Sequence, residues 1–182
     1  MEKELSVNDR KYTILELLGR GKGGYSYLVT DGLNRFVLKQ IHHEPFSDYQ
    51  FGNKIEAEVN DYRRLTETGI RLPVMLDIDI KRERILKEYI EGDTIFALVL
   101  EDRMKPDYFR QIHKMSELLF EFNLNIDYFP TNFVVLKEEL YYIDFECNEY
   151  MEEWNFENWG KKYWTRSPEF LECVRNMKSI QS

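Results

Sequence analysis

Three glycines near the start of the chain stand between two stretches that favour β-strands. Gly19, Gly21 and Gly24 follow the pattern G-x-G-x-x-G, and the flanking stretches 11–18 and 25–30 are rich in Tyr, Thr, Ile and Leu. A dinucleotide-binding fold needs a helix directly after such glycines. The sequence therefore predicts a glycine loop between antiparallel strands, where the backbone can closely approach nucleotide phosphates because glycine has no side chain.

Lys39 ends a run of strand-forming residues, 35–41, and is the next candidate for phosphate binding. Alternation of apolar and polar residues in a half-buried strand explains a lysine there equally well. A phosphate-binding lysine needs a carboxylate to orient it, and the predicted helix 49–68 offers Glu56 and Glu58. Glu58 lies on the same helical face as the apolar residues, so we expect this carboxylate to point toward the sheet.

Three further polar residues follow in an order that suggests a metal site. Asp127 and Asn132 are five residues apart, and Asp144 comes twelve residues later, after an apolar strand. Each one alone is better explained as a turn residue or a strand-end cap. Taken together they are the hard oxygen donors that Mg²⁺ prefers, with nucleotide phosphates completing its shell.

The elements that must position these residues fall into two groups along the chain. Strands are predicted at 11–18, 25–30, 35–41, 74–80 and 84–89, helices at 49–68, 106–123 and after Pro168, and a small hairpin at 133–143. This order predicts an α+β fold with a five-stranded antiparallel sheet and one helix in the first lobe, and a mainly helical second lobe. We place the lobes at 1–90 and 91–182, with a hinge near 90–93.

Composition narrows the function classes. The chain has 182 residues, 43% of them hydrophobic, which is enough for a sizeable core, and its net charge of −8 argues against non-specific nucleic-acid binding. Its two cysteines form no disulfide framework. The first ten residues carry no apolar signal segment, and the longest apolar stretch, 95–100, is too short to span a bilayer. A cytoplasmic protein without membrane association is expected.

In this order the motifs resemble those of the protein-kinase-like superfamily. The resemblance implies ATP and Mg²⁺ as cofactors and a two-lobed fold forming one kinase-like domain. It makes Lys39 a phosphate-binding catalytic residue that Glu58 orients, and Asp127 the catalytic aspartate. Asn132 and Asp144 become the metal ligands.

The same resemblance extends to the adenine-binding residues. The stretch 86–92, Leu-Lys-Glu-Tyr-Ile-Glu-Gly, is similar to the segment that joins the lobes of kinases. By that resemblance the Glu88 carbonyl and the Ile90 amide pair with adenine. Leu18, Val37 and Val134 then lie on the two faces of the ring.

Several residues depart from the usual kinase pattern. Asn125-Ile126 replaces the His-Arg pair before the catalytic aspartate, and Glu146 replaces the glycine after Asp144-Phe145. Only 38 residues follow Asp144, so we expect most of the usual C-lobe to be absent. These departures resemble a small atypical, bacterial-type branch of serine/threonine kinases that includes RIO-like and aminoglycoside-phosphotransferase-like enzymes. Trp154, Trp159 and Trp164 are expected to anchor the shortened tail.

The function that the sequence predicts is transfer of the γ-phosphate of ATP to a hydroxyl group. The unknown acceptor is a protein serine or threonine in the favoured interpretation. A small-molecule kinase of the aminoglycoside-phosphotransferase type is the first alternative. The second is a nucleotide-binding pseudokinase that serves as a scaffold and transfers no phosphate.

Overall fold

A computed structural model describes residues 3–21, 23–42 and 53–181, with side chains up to residue 177. The chain divides into two compact units. The first unit comprises Met1–Asn60 and Pro73–Tyr89, and the second comprises Asp61–Leu72 and Ile90–Ser182. Residues 61–72 therefore group with the second unit. The lobe boundaries 1–90 and 91–182 stay a prediction from the sequence.

The first unit contains a six-stranded antiparallel sheet. Its strands are β1 (Glu4–Val7), β2 (Arg10–Gly21), β3 (Gly24–Thr30), β4 (Arg35–Ile41), β5 (Met75–Asp79) and β6 (Arg84–Glu88). They lie in the order β1-β2-β3-β4-β6-β5. The helix α1 (Lys54–Glu67) begins in the first unit and ends in the second. The predicted start of this helix at Tyr49 lies outside the described residues.

The prediction of five strands is wrong by one, because β1 was missed. Its residues Leu5 and Val7 are buried, and it pairs with the start of β2 through a tight turn. Asn8 adopts a positive φ of 51° in this turn, a conformation that asparagine tolerates better than most residues. The alternating pattern of β1 is only four residues long and is flanked by charged residues, so it is too short to predict a strand from the sequence.

Each face of this sheet has its own small core. Leu38, Leu86 and Val29 lie with the buried strand β1 on one face. Ile55 of α1 packs with Ile41 and Ile85 on the other face. Successive side chains in a strand point to opposite faces, so Lys39, next to Leu38, lies on the face that α1 covers.

The second unit combines helices with two small sheets. Its helices are α2 (Ile95–Leu100), α3 (Pro106–Glu121) and α4 (Pro168–Gln181), and its strands are β7 (Asp93–Thr94), β8 (Leu124–Ile126), β9 (Phe133–Leu136), β10 (Glu139–Tyr142) and β11 (Cys147–Glu149). The sheet orders are β10-β9-β7 and β11-β8. The predicted α+β class is confirmed, whereas the short pair of β8 and β11 was not foreseen.

The core of the second unit is rich in aromatic rings. Trp164 is fully buried, and its indole N–H donates to the Tyr128 carbonyl oxygen at 2.8 Å. The expectation that all three tryptophans anchor the tail is wrong for Trp154, which is 49% exposed. The helix predicted at 106–123 ends at Glu121, and Phe122, one residue beyond it, is 45% exposed.

Within the described ranges, no helix is both long and apolar enough to cross a membrane.

Candidate functional site

The glycine-rich segment forms the end of a β-hairpin. Strands β2 and β3 pair up to Gly21 and Gly24, and the register shifts between Leu17 and Gly19. Lys22, at the turn, lies outside the described residues. A strand thus follows the glycines, as predicted, and no helix N-terminus is available there to bind a pyrophosphate.

The glycines of this hairpin have different structural reasons to be glycine. Gly24 has φ +156°, and a Cβ at this position would collide with the carbonyl oxygen of Gln40 on β4. A Cβ at Gly19 or Gly21 would meet no other atom within 4 Å. The sheet itself therefore requires Gly24, whereas Gly19 and Gly21 leave open space beside the hairpin.

Lys39 forms a largely buried ion pair with Glu58. The distance from Nζ to Oε2 is 2.7 Å, and the two side chains are only 14% and 10% exposed. A Cβ at Gly23, in the turn of the hairpin, would lie 3.6 Å from the Lys39 ammonium. The first unit thus brings together the glycine turn, the lysine and the carboxylate that the sequence singles out. Glu56, the other candidate, is exposed.

The proposed adenine-binding residues of the first unit occupy different environments. Val37 is 8% exposed, whereas Leu18, beside the register shift in β2, is 43% exposed. Glu88 ends β6, where its amide donates to the Val74 carbonyl oxygen at 2.9 Å and its carboxylate accepts from the Val74 amide at 3.1 Å. These contacts fix the backbone of Glu88 at the end of the sheet.

A second buried lysine on this sheet escaped the sequence analysis. Lys87 is 6% exposed and lies directly opposite Val37 in the ladder between β4 and β6. Opposite residues of an antiparallel pair share one face, so Lys87 lies on the same face as Val37 and Lys39. A lysine between two residues of a predicted buried strand was the available signal.

In the second unit, backbone groups hold the loop after β8. Oδ1 of Asp127 accepts from the Phe129 amide at 3.0 Å, and the Asn132 side-chain amide donates to the Asp127 carbonyl oxygen at 3.2 Å. The carbonyl oxygen of Asn132 accepts from the Ile143 amide at 2.9 Å. This last bond connects the loop to the segment that carries Asp144.

The segment after β10 is fixed by its apolar and aromatic residues. Oδ1 of Asp144 accepts from the Phe145 amide at 2.8 Å. Phe145 is fully buried, and its ring centroid lies 4.6 Å from that of Tyr62. One hydrogen bond and the burial of the neighbouring Phe145 ring therefore hold Asp144 beside the core of the second unit.

The buried Tyr142 lies near three acidic groups of this region. Burial, and then the negative charges of Asp144, Asp127 and Glu146, raise the pKa of Tyr142 well above its usual value. The hydroxyl group stays neutral and donates to the Glu146 carbonyl oxygen at 2.8 Å. Nothing in the sequence pattern singled out this tyrosine, which lies near the charges of both acidic loops.

Cysteine chemistry has no support in this region. Burial, and then the negative charge of Asp61, raise the pKa of Cys147 to about 12. The Cys147 amide donates to Oδ2 of Asp61 at 3.3 Å. A thiol that stays protonated at neutral pH is a poor nucleophile.

Asn132 and Asp144 are the oxygen donors that the sequence predicts as ligands of Mg²⁺. Among the residues described, no group of three or more His, Cys, Asp or Glu side chains converges on one point. Asn132 and Asp144 offer an amide oxygen and a carboxylate, both partly exposed. Mg²⁺ is usually held by one or two carboxylates together with waters and substrate phosphates, so this small donor set is adequate.

Two other predicted residues of the second unit are buried. Val134 in β9 is 5% exposed and pairs with Thr94, and Ile90 is also 5% exposed. Gly92 is required here, because a Cβ would collide with the Val135 carbonyl oxygen.

Comparisons with known proteins give one partial similarity. No family model matches the chain. The chain is 30% identical over 99 residues to the KEOPS complex subunit Bud32 of Pyrococcus abyssi. The aligned part covers 51% of the chain and 44% of that relative, so less than half of the relative's length is matched. This similarity supports a relationship to the kinase-like superfamily and does not specify a subtype.

Proposed function

We propose that this protein is a Mg²⁺-dependent kinase that transfers the γ-phosphoryl group of ATP to a hydroxyl group. The observation that carries the proposal is the ion pair between Lys39 and Glu58, beside the turn of a glycine hairpin. A buried pair of this kind costs desolvation energy, and its value as a stabilising element alone is small. The presence of the pair in this position is explained if the lysine serves to bind phosphate.

The hairpin supplies the complementary surface for the phosphates. Among the described residues, no side chain fills the space beside Gly19 and Gly21. Backbone N–H groups that a side chain does not shield can hydrogen-bond phosphate oxygens. Lys39 provides the positive charge, and Glu58 keeps its ammonium in one position.

Asp127 is the residue that we assign to the acceptor hydroxyl. It is exposed, and its carboxylate is held at Oδ1 by the Phe129 amide. As the acceptor oxygen bonds to the γ-phosphorus, the bond between that phosphorus and the β,γ-bridging oxygen breaks. The hydroxyl proton passes to Asp127, and ADP leaves.

Asn132 and Asp144 are the residues that would hold Mg²⁺. A Mg²⁺ ion held by these two residues would supply positive charge against the phosphates. The bond between the Asn132 carbonyl and the Ile143 amide keeps the two ligand-bearing loops together. The protein contributes orientation and fixed charge, which account for most of the catalysis in phosphoryl transfer.

We assign a protein serine or threonine as the acceptor. The support is the resemblance of the segment 86–92 and of the glycine hairpin to those of protein kinases. The similarity to a subunit of the KEOPS complex agrees with a protein that acts on or among other proteins. Residues Glu88 and Ile90 are assigned to the base, together with Leu18, Val37 and Val134.

The experiment that tests nucleotide binding compares two alanine substitutions in one hairpin. ATP with Mg²⁺ should raise the melting temperature, because a ligand that binds only the folded state stabilises it. Gly21→Ala should leave the melting temperature of the free protein unchanged and reduce the ATP-dependent increase. Gly24→Ala should lower the melting temperature of the free protein itself. No increase with millimolar ATP and Mg²⁺ in the unsubstituted protein would refute the proposal.

A second assay tests transfer and the class of acceptor. The protein is incubated with γ-labelled ATP and Mg²⁺, with casein in one sample and kanamycin in another. Label on casein serine or threonine that requires Lys39 supports a protein kinase. Label on kanamycin alone would assign a small-molecule kinase, and binding of ATP without any transfer would assign a pseudokinase.

A further inference from the structure

A patch of exposed apolar side chains lies on the second unit, outside the residues assigned to phosphate transfer. Its large apolar members are Phe120, Phe122, Met151 and Trp154, which are 60%, 45%, 50% and 49% exposed. With roughly 200 Å² for each side chain, the exposed apolar area is about 400 Å². Apolar patches of this size on a monomer are often functional.

Core packing does not account for these side chains. The buried stripe of α3 consists of Tyr108, Ile112, Met115 and Leu119, at helical spacing. Phe120 follows directly after Leu119 and is therefore turned about 100° away from the stripe. An exposed phenylalanine at this position contributes little to the helix or to the core.

Backbone contacts hold the two segments of the patch together. The Tyr150 amide donates to the Asn123 carbonyl oxygen at 2.9 Å, and the Asn125 side chain donates to the Met151 carbonyl oxygen at 2.9 Å. The rings of Phe120 and Tyr150 meet edge to face, with centroids 4.8 Å apart. The segments 117–123 and 148–154 are thus neighbours, and we treat their exposed side chains as one surface.

The charges on this surface all have the same sign. The two segments contain five glutamates and no lysine or arginine. These glutamates are Glu117, Glu121, Glu149, Glu152 and Glu153, and all are exposed. Within the described part of the chain, none of them forms an ion pair. Like charges that are not neutralised repel one another, and a positively charged partner would relieve this repulsion.

We infer that this aromatic-acidic patch is a docking surface for a basic protein segment, in which lysines or arginines flank an apolar side chain. The apolar residue would be buried among the aromatic rings. The cationic groups would pair with the glutamates and lie over exposed ring faces, an arrangement that favours arginine. A second copy of the chain is disfavoured, because it would oppose five glutamates with five more. The inference does not depend on the proposed kinase activity.

The test uses three synthetic peptides and the full chain. In the first peptide arginines flank leucines, in the second glutamates replace the arginines, and in the third serines replace the leucines. Binding is followed by amide and indole chemical shifts of the protein. We expect the first peptide to shift signals of Phe120, Met151 and the Trp154 indole, and to bind at least about tenfold more tightly than the other two, a difference of 1.4 kcal/mol.

Variants separate the patch from general acidity. Glu149→Lys with Glu152→Lys, and separately Trp154→Ser, should weaken binding of the first peptide about tenfold or more. The control, Glu67→Lys with Glu172→Lys, changes the net charge equally at exposed sites elsewhere and should leave binding unchanged.

Three results would overturn the inference. The first is the absence of shifts at the patch with millimolar peptide, and the second is equal weakening by the control variant. The third is concentration-dependent dimerisation that Trp154→Ser abolishes, because the occupant would then be a second copy.

Discussion

The two sets of candidate residues are held in position in different ways. In the first unit, Lys39 is fixed by another side chain, Glu58, in a pair that is almost fully buried. In the second unit, Asp127 and Asn132 are fixed by hydrogen bonds with backbone groups of their own loop, and Asp127 is exposed. The comparison suggests that substitutions in the Lys39–Glu58 pair of the first unit change both function and unfolding free energy. Substitution of Asp127 in the second unit can change function alone.

The largest effect is expected where the buried pair is broken. Glu58→Ala leaves the Lys39 ammonium buried without its carboxylate, and removing one partner of a buried pair costs about 3 kcal/mol of unfolding free energy or more. Urea unfolding at neutral pH measures this loss. Glu56→Ala, on an exposed face of the same helix, is the matched control and should change the unfolding free energy by less than about 1 kcal/mol.

A double variant tests whether the pair exists for stability. Lys39→Met with Glu58→Leu replaces both charges with apolar side chains and should recover most of the lost unfolding free energy. It should not recover ATP binding. If Glu58→Ala and Glu56→Ala have the same small effect, the coupling of function and stability in the first unit is refuted.

The next effect concerns the second unit and should appear in the rate alone. Asp127→Asn keeps an acceptor for the Phe129 amide and removes the base, so transfer should slow by about a hundredfold or more, or about 2.7 kcal/mol of barrier. The melting temperature should stay the same, because the side chain is exposed. Single-turnover transfer with bound ATP measures the rate.

The outcome of this substitution distinguishes two assignments. An unchanged rate in a confirmed transfer assay would mean that Asp127 is not the base. A fall in rate together with a large fall in melting temperature would mean that the second unit is as strongly coupled as the first.

The strands and the helix that position the Lys39–Glu58 pair could be predicted from the sequence, because their patterns are local and periodic. The predicted strands 25–30 and 35–41 and the helical face of Glu58 follow from alternation and helical spacing. Both are seen in the structure, as the paired strands β3 and β4 and as the contact between Glu58 and Lys39. Such patterns require no knowledge of distant contacts.

Residues whose position depends on distant pairing were not found. The strand β1 is defined by its ladder with β2, and β11 by its ladder with β8. Lys87 becomes notable only because β6 lies beside β4 and places it opposite Val37. The exposure of Trp154 likewise depends on how the chain after Asp144 crosses the second unit, and its spacing gave no indication of this.

The smallest expected effect concerns hydrogen bonds between a carboxylate and the backbone. It tests whether their loss costs little unfolding free energy in general, or only where the carboxylate is exposed, as in Asp127. Asp79 in the first unit is 2% exposed and accepts from the amides of Asn8 and Arg82 at 2.8 and 3.0 Å, and from the Arg82 guanidinium at 2.8 Å. Burial alone raises its pKa, but the side-chain and backbone bonds from Arg82 and the bond from Asn8 outweigh this and lower the pKa of Asp79 to about 2.

Asp79→Asn should therefore destabilise the protein at neutral pH by about 2 kcal/mol, the scale of hydrogen bonds to a charged acceptor. Because the folded pKa lies below the unfolded value of 3.8, the stabilising contribution of Asp79 is complete above about pH 4. It disappears as the pH falls from about 4 toward 2, so the difference between the variant and the unsubstituted protein should shrink over this window. Urea unfolding at pH 6 and pH 3 measures it. If the difference in unfolding free energy is the same at pH 6 and pH 3, the negative charge of Asp79 contributes nothing to stability. The contrast between the two units would then follow from side-chain burial alone.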